Sequence, residues 1–215
     1  MAILAGGLVL GVGGAFTLAV WNDTEWAYGG NGIGGPGVGT SAFAVQQNVT
    51  APFTTPFTDA STNPGSSLQF APTPLAMTPG DVIFAPIALK TTASSPVSVG
   101  GTLQLRQAVA ASGVTINDPG GSLWSALHLS VGVSENNTTC DAAAFSAPPA
   151  GFTVLLNDQT GLSSGAAITG PQTLEAAGAN TLYYCFKVEL PAGSPNTLMG
   201  RTVAPAWEFF ATSTP

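Results

Sequence analysis

The chain contains a single imidazole, His128, and that count decides most of the catalytic possibilities. A zincin helix needs two histidines and a three-histidine zinc site needs three, so neither can be assembled from it. A Ser-His-Asp arrangement needs only one, but no Gly-x-Ser-x-Gly elbow accompanies His128. The period-two pattern around His128 puts the ring on the polar face of a strand, where it reads as an exposed sheet histidine. Paired carboxylates are the other inexpensive route to catalysis. Here Glu135 and Asp141 flank a polar loop, while Glu175, Glu189 and Glu208 are scattered. No Asp-x-Asp-x-Asp-Gly pattern gathers oxygen ligands for calcium. The expectation is no enzyme, no catalytic residue, no metal and no cofactor.

Composition narrows the partners. Only 4 basic and 11 acidic residues occur among 215, a net charge of −7. Charged residues usually make up about a quarter of a chain, so Ser, Thr, Asn, Gln and Gly must cover this surface. That is the habit of extracellular β proteins. Lys90, Arg106, Lys187 and Arg201 are too few to make the basic footprint of a nucleic-acid binder. The same shortage disfavours stable attachment to anionic lipid.

The first residues supply an address. An uncharged apolar run from Ala2 to Val20 stops abruptly at Trp21-Asn22-Asp23-Thr24-Glu25. Such a run targets a membrane, while its five glycines make it a poor permanent span. Thr17-Leu18-Ala19 offers small residues where signal peptidase needs them, so a signal peptide over 1–19 is expected, cut at Ala19/Val20. No basic residue precedes the run, as expected if the chain starts downstream of the true first residue or is a fragment. In an exported chain, Cys140 and Cys185 read as one disulfide, the alternative being two free thiols.

From Gly29 to Gly39 seven of eleven residues are glycine, so residues 20–40 read as an N-terminal segment on a flexible tether. Asn48 to Pro74, rich in Pro, Thr and Ser, suits short extended pieces and turns. After Pro79-Gly80-Asp81, Val82 to Leu89 is apolar on both faces, like a central strand, with Pro86 implying a bulge or an exposed edge. Val97, Val99, Gly101, Leu103 and Leu105 alternate with polar residues, as do Leu123, Ser125, Leu127, Leu129, Val131 and Val133. Thr153 to Asn157 predicts a short strand before a turn around Asp158 to Gly165. Leu182, Tyr184, Phe186, Val188 and Leu190 form one apolar face, and Val203, Trp207 and Phe209 line a terminal strand interrupted by Pro205. Ala142 to Phe145 and Leu174 to Ala177 allow short helical turns only. Several short strands between Gly/Pro/Asn turns predict an all-β, jelly-roll-like antiparallel sandwich over 41–215. In this register Cys185 points away from the core, so a disulfide would pin the loop around Cys140 to the outer face of its strand.

Three stretches carry a family resemblance. Gly13-Gly14 with Thr17-Leu18-Ala19-Val20-Trp21-Asn22-Asp23-Thr24-Glu25 looks like the signal junction of the TasA/camelysin family of secreted proteins. Met77-Thr78-Pro79-Gly80-Asp81 is similar to the turn that opens a core strand there. Tyr183 to Pro191 and Thr202 to Phe210 resemble the closing strands of its actinobacterial members with the alternate type of signal peptide. The resemblance implies a jelly-roll-like sandwich, a dedicated signal peptidase as a partner during export, and an extracellular fibre or biofilm-matrix subunit. Some members carry a metalloprotease label, which a lone His128 does not support.

The resemblance also implies assembly by strand donation, in which an extended segment adds to a neighbour's sheet through main-chain hydrogen bonds. Val20, Trp21, Trp26 and Tyr28 are the donor candidates, although their face pattern is irregular. Trp21 and Trp26 read equally as an interfacial anchor of the precursor. The rival function is a monomeric surface adhesin or carbohydrate-binding module, with Trp124 and Tyr183 as exposed aromatic candidates.

Overall fold

The computed structural model describes residues 24–27, 33, 40–93, 99–163 and 170–214. The chain divides into two units, 1–39 and 40–215. In the first, Thr24 to Ala27 are exposed and take no regular structure.

The second unit is all-β. Its strands are β1 (Val45–Asn48), β2 (Val82–Thr91), β3 (Gly101–Ala110), β4 (His128–Ser134), β5 (Thr153–Thr160), β6 (Gln172–Leu174), β7 (Leu182–Glu189) and β8 (Pro205–Ser213). Two short helices, α1 (Ser122–Ala126) and α2 (Ala142–Ser146), lie before and after β4. The strands form two antiparallel sheets, ordered β1-β2-β7-β4-β5 and β6-β3-β8. Most connections cross from one sheet to the other, so the sheets are built together around one core.

The apolar faces predicted by alternation meet in that core. Ile83, Ile87, Leu129, Val131, Tyr184 and Phe186 from the larger sheet pack against Leu103 and Leu105 from the smaller. Phe186 stacks on Trp207 at 4.6 Å and Tyr184 meets Phe209 edge-on at 5.0 Å, which ties β7 to β8 across the layers. Each large side chain buried in this way contributes about 1.5–3 kcal/mol.

Local chemistry explains the strand ends. Asp81 N–H donates to Thr78 O across a turn with Pro79 and Gly80 at its centre, and Gly80 takes φ 98°. That is a type II turn, which needs positive φ at its third residue. The Asp81 carboxylate accepts from the Thr78 N–H at 2.6 Å and hydroxyl at 2.9 Å, which holds it below its ordinary pKa and locks the entry to β2. Pro86 sits inside β2 without a bulge. Phe84 exchanges both backbone hydrogen bonds with Ala71 on the outer side of β2, so the imino nitrogen of Pro86 faces that side too. There β1 has already ended, opposite Ala88. The donor that proline lacks is therefore not needed.

Three expectations require correction, and a fourth falls partly outside the described residues. The predicted strand from Leu123 begins only at His128, because Ser122–Ala126 is helical. The Asp118 carboxylate accepts from the N–H groups of Leu123 and Trp124 at 2.9 Å and nucleates that turn. The strand from Thr153 runs on to Thr160, so Asp158 lies in a strand rather than a turn. Pro205 starts β8 instead of interrupting it. Val97 and Ser98 lie outside the described residues, while Val99 precedes β3.

Candidate functional site

Three features of the sandwich have chemical potential: a polar array on the outer face of the larger sheet, a disulfide-held cap beside it, and the outer edge of β8.

The array centres on His128. Its Nδ1 lies 2.8 Å from Asp158 Oδ1 and its Nε2 lies 3.3 Å from Thr160 Oγ1. Asp158 sits at φ 49°, where two register shifts distort β5, and its N–H donates to Ser130 Oγ. Glu189 lies opposite His128 on β7 and pairs with Lys187 at 3.2 Å. The His128 side chain is only 25% exposed. It is therefore not the open sheet histidine that alternation predicts, because the bulge in β5 brings a carboxylate and a hydroxyl to its two nitrogens. A carboxylate, an imidazole and a hydroxyl in line can hold and relay a proton. Two clefts of about 400 Å³ among the described residues lie elsewhere, one lined by Glu135, Asn136 and Gln172, the other by Asn137, Thr138 and Asp141.

Four of the five carboxylates named as catalytic candidates have partners at the side chain, Glu189 being paired with Lys187. Glu135 accepts from Asn180 Nδ2, Glu208 pairs with Arg106 at 2.9 Å, and Asp141 caps α2 by accepting from Ala143 and Ala144 N–H. Glu175 is anchored through its backbone N–H, which donates to Asn180 Oδ1. Among the described residues no three His, Cys, Asp or Glu side chains are grouped to hold a metal.

Cys140 and Cys185 are bonded, with their Cα atoms 5.2 Å apart. Cys185 points off the outer face of β7, away from the core that Tyr184 and Phe186 enter. It is nevertheless only 3% exposed. Phe84, Ala144, Phe145 and Phe152 close over it in a second apolar cluster. Phe152 meets Phe145 edge-on at 5.6 Å. The disulfide therefore fastens a small apolar cap to the sheet.

The third feature is an edge. Thr214 N–H donates to Gly100 O, and Ala111 N–H donates to Ala204 O. Even-numbered residues of β8 therefore address β3, and the N–H and C=O groups of Trp207, Phe209, Ala211 and Ser213 point outward. Pro205 marks the start of the edge. Phe70 reaches Trp207 at 6.4 Å from the segment before β2. No backbone group among the described residues pairs with this edge.

The remaining sequence candidates divide. Trp26 is 93% exposed, while Val20, Trp21, Tyr28 and the Ala19/Val20 bond lie outside the described residues. Trp124 and Tyr183 are half-buried rather than exposed. Trp124 Nε1 donates to Ser163 Oγ, and Tyr183 packs against Phe53. Sequence reasoning missed Asp118, which also binds Arg201 at 3.1 Å with its side chain 2% exposed. An Asp before the Ser122-Leu123-Trp124 run is a helix-start signal that a strand reading passes over. Asp158 had no comparable signal. Among the described residues no helix is long and apolar enough to cross a membrane. No family model matches this chain, and no curated protein matches it.

Proposed function

We propose that this protein is a secreted, non-enzymatic structural subunit of an extracellular fibre or matrix, of the TasA/camelysin type. Its sandwich is read as a jelly roll lacking one strand pairing, and Val20 to Tyr28 as a strand that a neighbouring subunit accepts. Export rests on the 1–19 segment, its cut at Ala19/Val20, and the oxidised Cys140–Cys185 pair, which suits an oxidising compartment.

The observation that carries this reading is the strand pairing. A jelly roll folds an eight-stranded hairpin into two sheets, so paired strands have indices that sum to nine. Here β2 pairs β7, β3 pairs β6 and β4 pairs β5. The remaining pair, β1 with β8, is not formed, because β1 lies on the outer side of β2. The sandwich thus contains a three-stranded sheet where a complete roll has four strands. The N-terminal segment is at hand to supply one, with Thr24 to Ala27 exposed and outside any ladder.

Light scattering of the secreted chain over a concentration series, beside a chain lacking residues 20–40, tests the reading. Polymers that form with concentration and vanish on truncation are expected. A strictly monomeric secreted chain overturns it.

A further inference from the structure

We infer that the cleft between the end of β4 and β6 is a binding site for one neutral sugar ring, a pyranose. The inference does not rest on how the chain assembles, because β6 and β8 are opposite edges of the smaller sheet.

The cleft is formed by both sheets. Val133 to Asn136 at the end of β4 and Thr153 at the start of β5 face Gln172 and Thr173 of β6 across a space of about 400 Å³. Small-molecule sites begin at about 300 Å³. Asn180 braces the two walls. Its Nδ2 donates to Glu135 Oε1 at 3.1 Å and to Thr173 O at 3.0 Å, and its Oδ1 accepts from Glu175 N–H at 2.8 Å. Across the cleft Gly151 takes φ 82°, and a Cβ on it would lie 3.0 Å from Asn136 Nδ2. Asn136 thus packs on a position that favours glycine. Side chains fixed in this way meet a ligand with little loss of freedom.

The chemistry of the walls selects the ligand. Lys90, Arg106, Lys187 and Arg201 all lie outside the lining, so nothing there neutralises an anion. Glu135 is the one ionisable side chain in it, too little to hold a metal ion. Asn136 Nδ2 and Gln172 Nε2 already donate to the carbonyls of Ala150 and Gly170. Their amide oxygens and Glu135 Oε2 accept nothing among the described residues, and the Thr153 and Thr173 hydroxyls have no partner there. The open positions are therefore mostly acceptors, with two hydroxyls that also donate. Several adjacent hydroxyls on a neutral ligand match that set. Val133 and Leu182 give the cleft an apolar floor, which suits the C–H face of a sugar ring. Among the described residues no aromatic ring lines the cleft, so binding is weak, with a Kd of about 1 mM.

Titration of the oxidised chain with the methyl glycosides of glucose, mannose and galactose, followed by amide chemical shifts, tests the inference. At least one glycoside should give saturable shifts at Glu135, Asn136, Thr153, Gln172 and Thr173, with His128 and Trp207 unmoved. Glu135→Ala should weaken that binding about tenfold, and Thr173→Val, which keeps the shape of the side chain, about threefold or more. If Glu135→Ala does not fold, the shift map of the parent and the Thr173→Val variant decide. No saturable shift with any of the three glycosides overturns the site. Shifts that map elsewhere, or binding unchanged in both variants, overturn its position. Equal shifts from glycerol overturn recognition of a ring. Binding of methylammonium or inorganic phosphate, with the glycosides inert, overturns the neutral class.

Discussion

Cys185 and Phe186 are consecutive in β7 yet lie in different apolar clusters, one on each face of the strand. Phe186 enters the core between the sheets. Cys185 is bonded to Cys140 under a cap that β7 shares with β2, β4 and β5. One strand thus anchors two independent packings.

Removing the bridge should therefore loosen the cap before the core. The double variant Cys140→Ala, Cys185→Ala is expected to lose about 4 kcal/mol, the loop-closure value for a 45-residue separation. Denaturant unfolding measures the loss. Limited proteolysis of the variant should cut first between Asp141 and Gly151, and a first cut within β3 or β8 would contradict this order.

Gly132 lies on the outer face of β4 beneath Phe152, and a Cβ there would overlap the ring at Cζ and Cε1. Gly132→Ala should displace Phe152 from the cap and destabilise the protein by about 1–3 kcal/mol. A variant as stable as the parent would show that the cap yields freely.

The cost of losing Asp118 should be larger. Its burial pushes the carboxyl pKa up, but the Leu123 and Trp124 N–H groups and the Arg201 guanidinium together outweigh that and hold it below its ordinary value. Its stabilisation is thus present above the usual carboxylate range and lost as pH falls through the lowered value. Asp118→Ala takes the carboxylate from Arg201, which keeps the Thr197 and Pro119 carbonyls, leaves two helix N–H groups without their acceptor, and should cost about 3 kcal/mol at neutral pH. The difference from the parent should shrink in acid, as unfolding curves at several pH values will show.

Tyr184 behaves in the opposite sense. Its phenol is buried and its hydroxyl has no hydrogen-bond partner among the described residues. Burial raises its pKa well above the ordinary 10, so the unfolded chain ionises first. The contribution is constant below pH 10 and falls as pH rises further. Tyr184→Phe should leave neutral stability unchanged or raise it by up to about 1 kcal/mol, and should flatten the alkaline decline. A loss of 2 kcal/mol or more would reveal a missed partner.

His128→Ala should cost less than about 1 kcal/mol, because the ring lies on the outer face and its hydrogen bond with Asp158 is partly exposed. Thermal unfolding at pH 7 measures this. A loss of several kcal/mol would mean that the array holds β4 and β5 together.

Where side chains alternate against one core, the fold was legible. Leu103 and Leu105, or Tyr184, Phe186 and Val188, announce their face through period two alone, and Pro79-Gly80-Asp81 announces its turn. Leu123 and Leu127 follow the same period and mislead, because the helix between them is set by Asp118 upstream and by Arg201 from the far end of the chain. The bulge that brings Asp158 to His128 depends on how β5 fits β4, and one strand does not encode it. The position of β1 beside β2 rather than β8 is likewise a matter of pairing between distant segments. It is also what leaves the edge of β8 open.

The Cys140–Cys185 bond bears on extension under load. If the protein is pulled from its two ends, the residues between the cysteines cannot join the lengthening chain. About 45 residues at roughly 3.5 Å each are withheld, about 160 Å of contour. β8, held on one side by β3 alone, would peel first, and the force would then reach β7 through a chain already shortened by its crosslink. The oxidised protein is thus less extensible than its length implies.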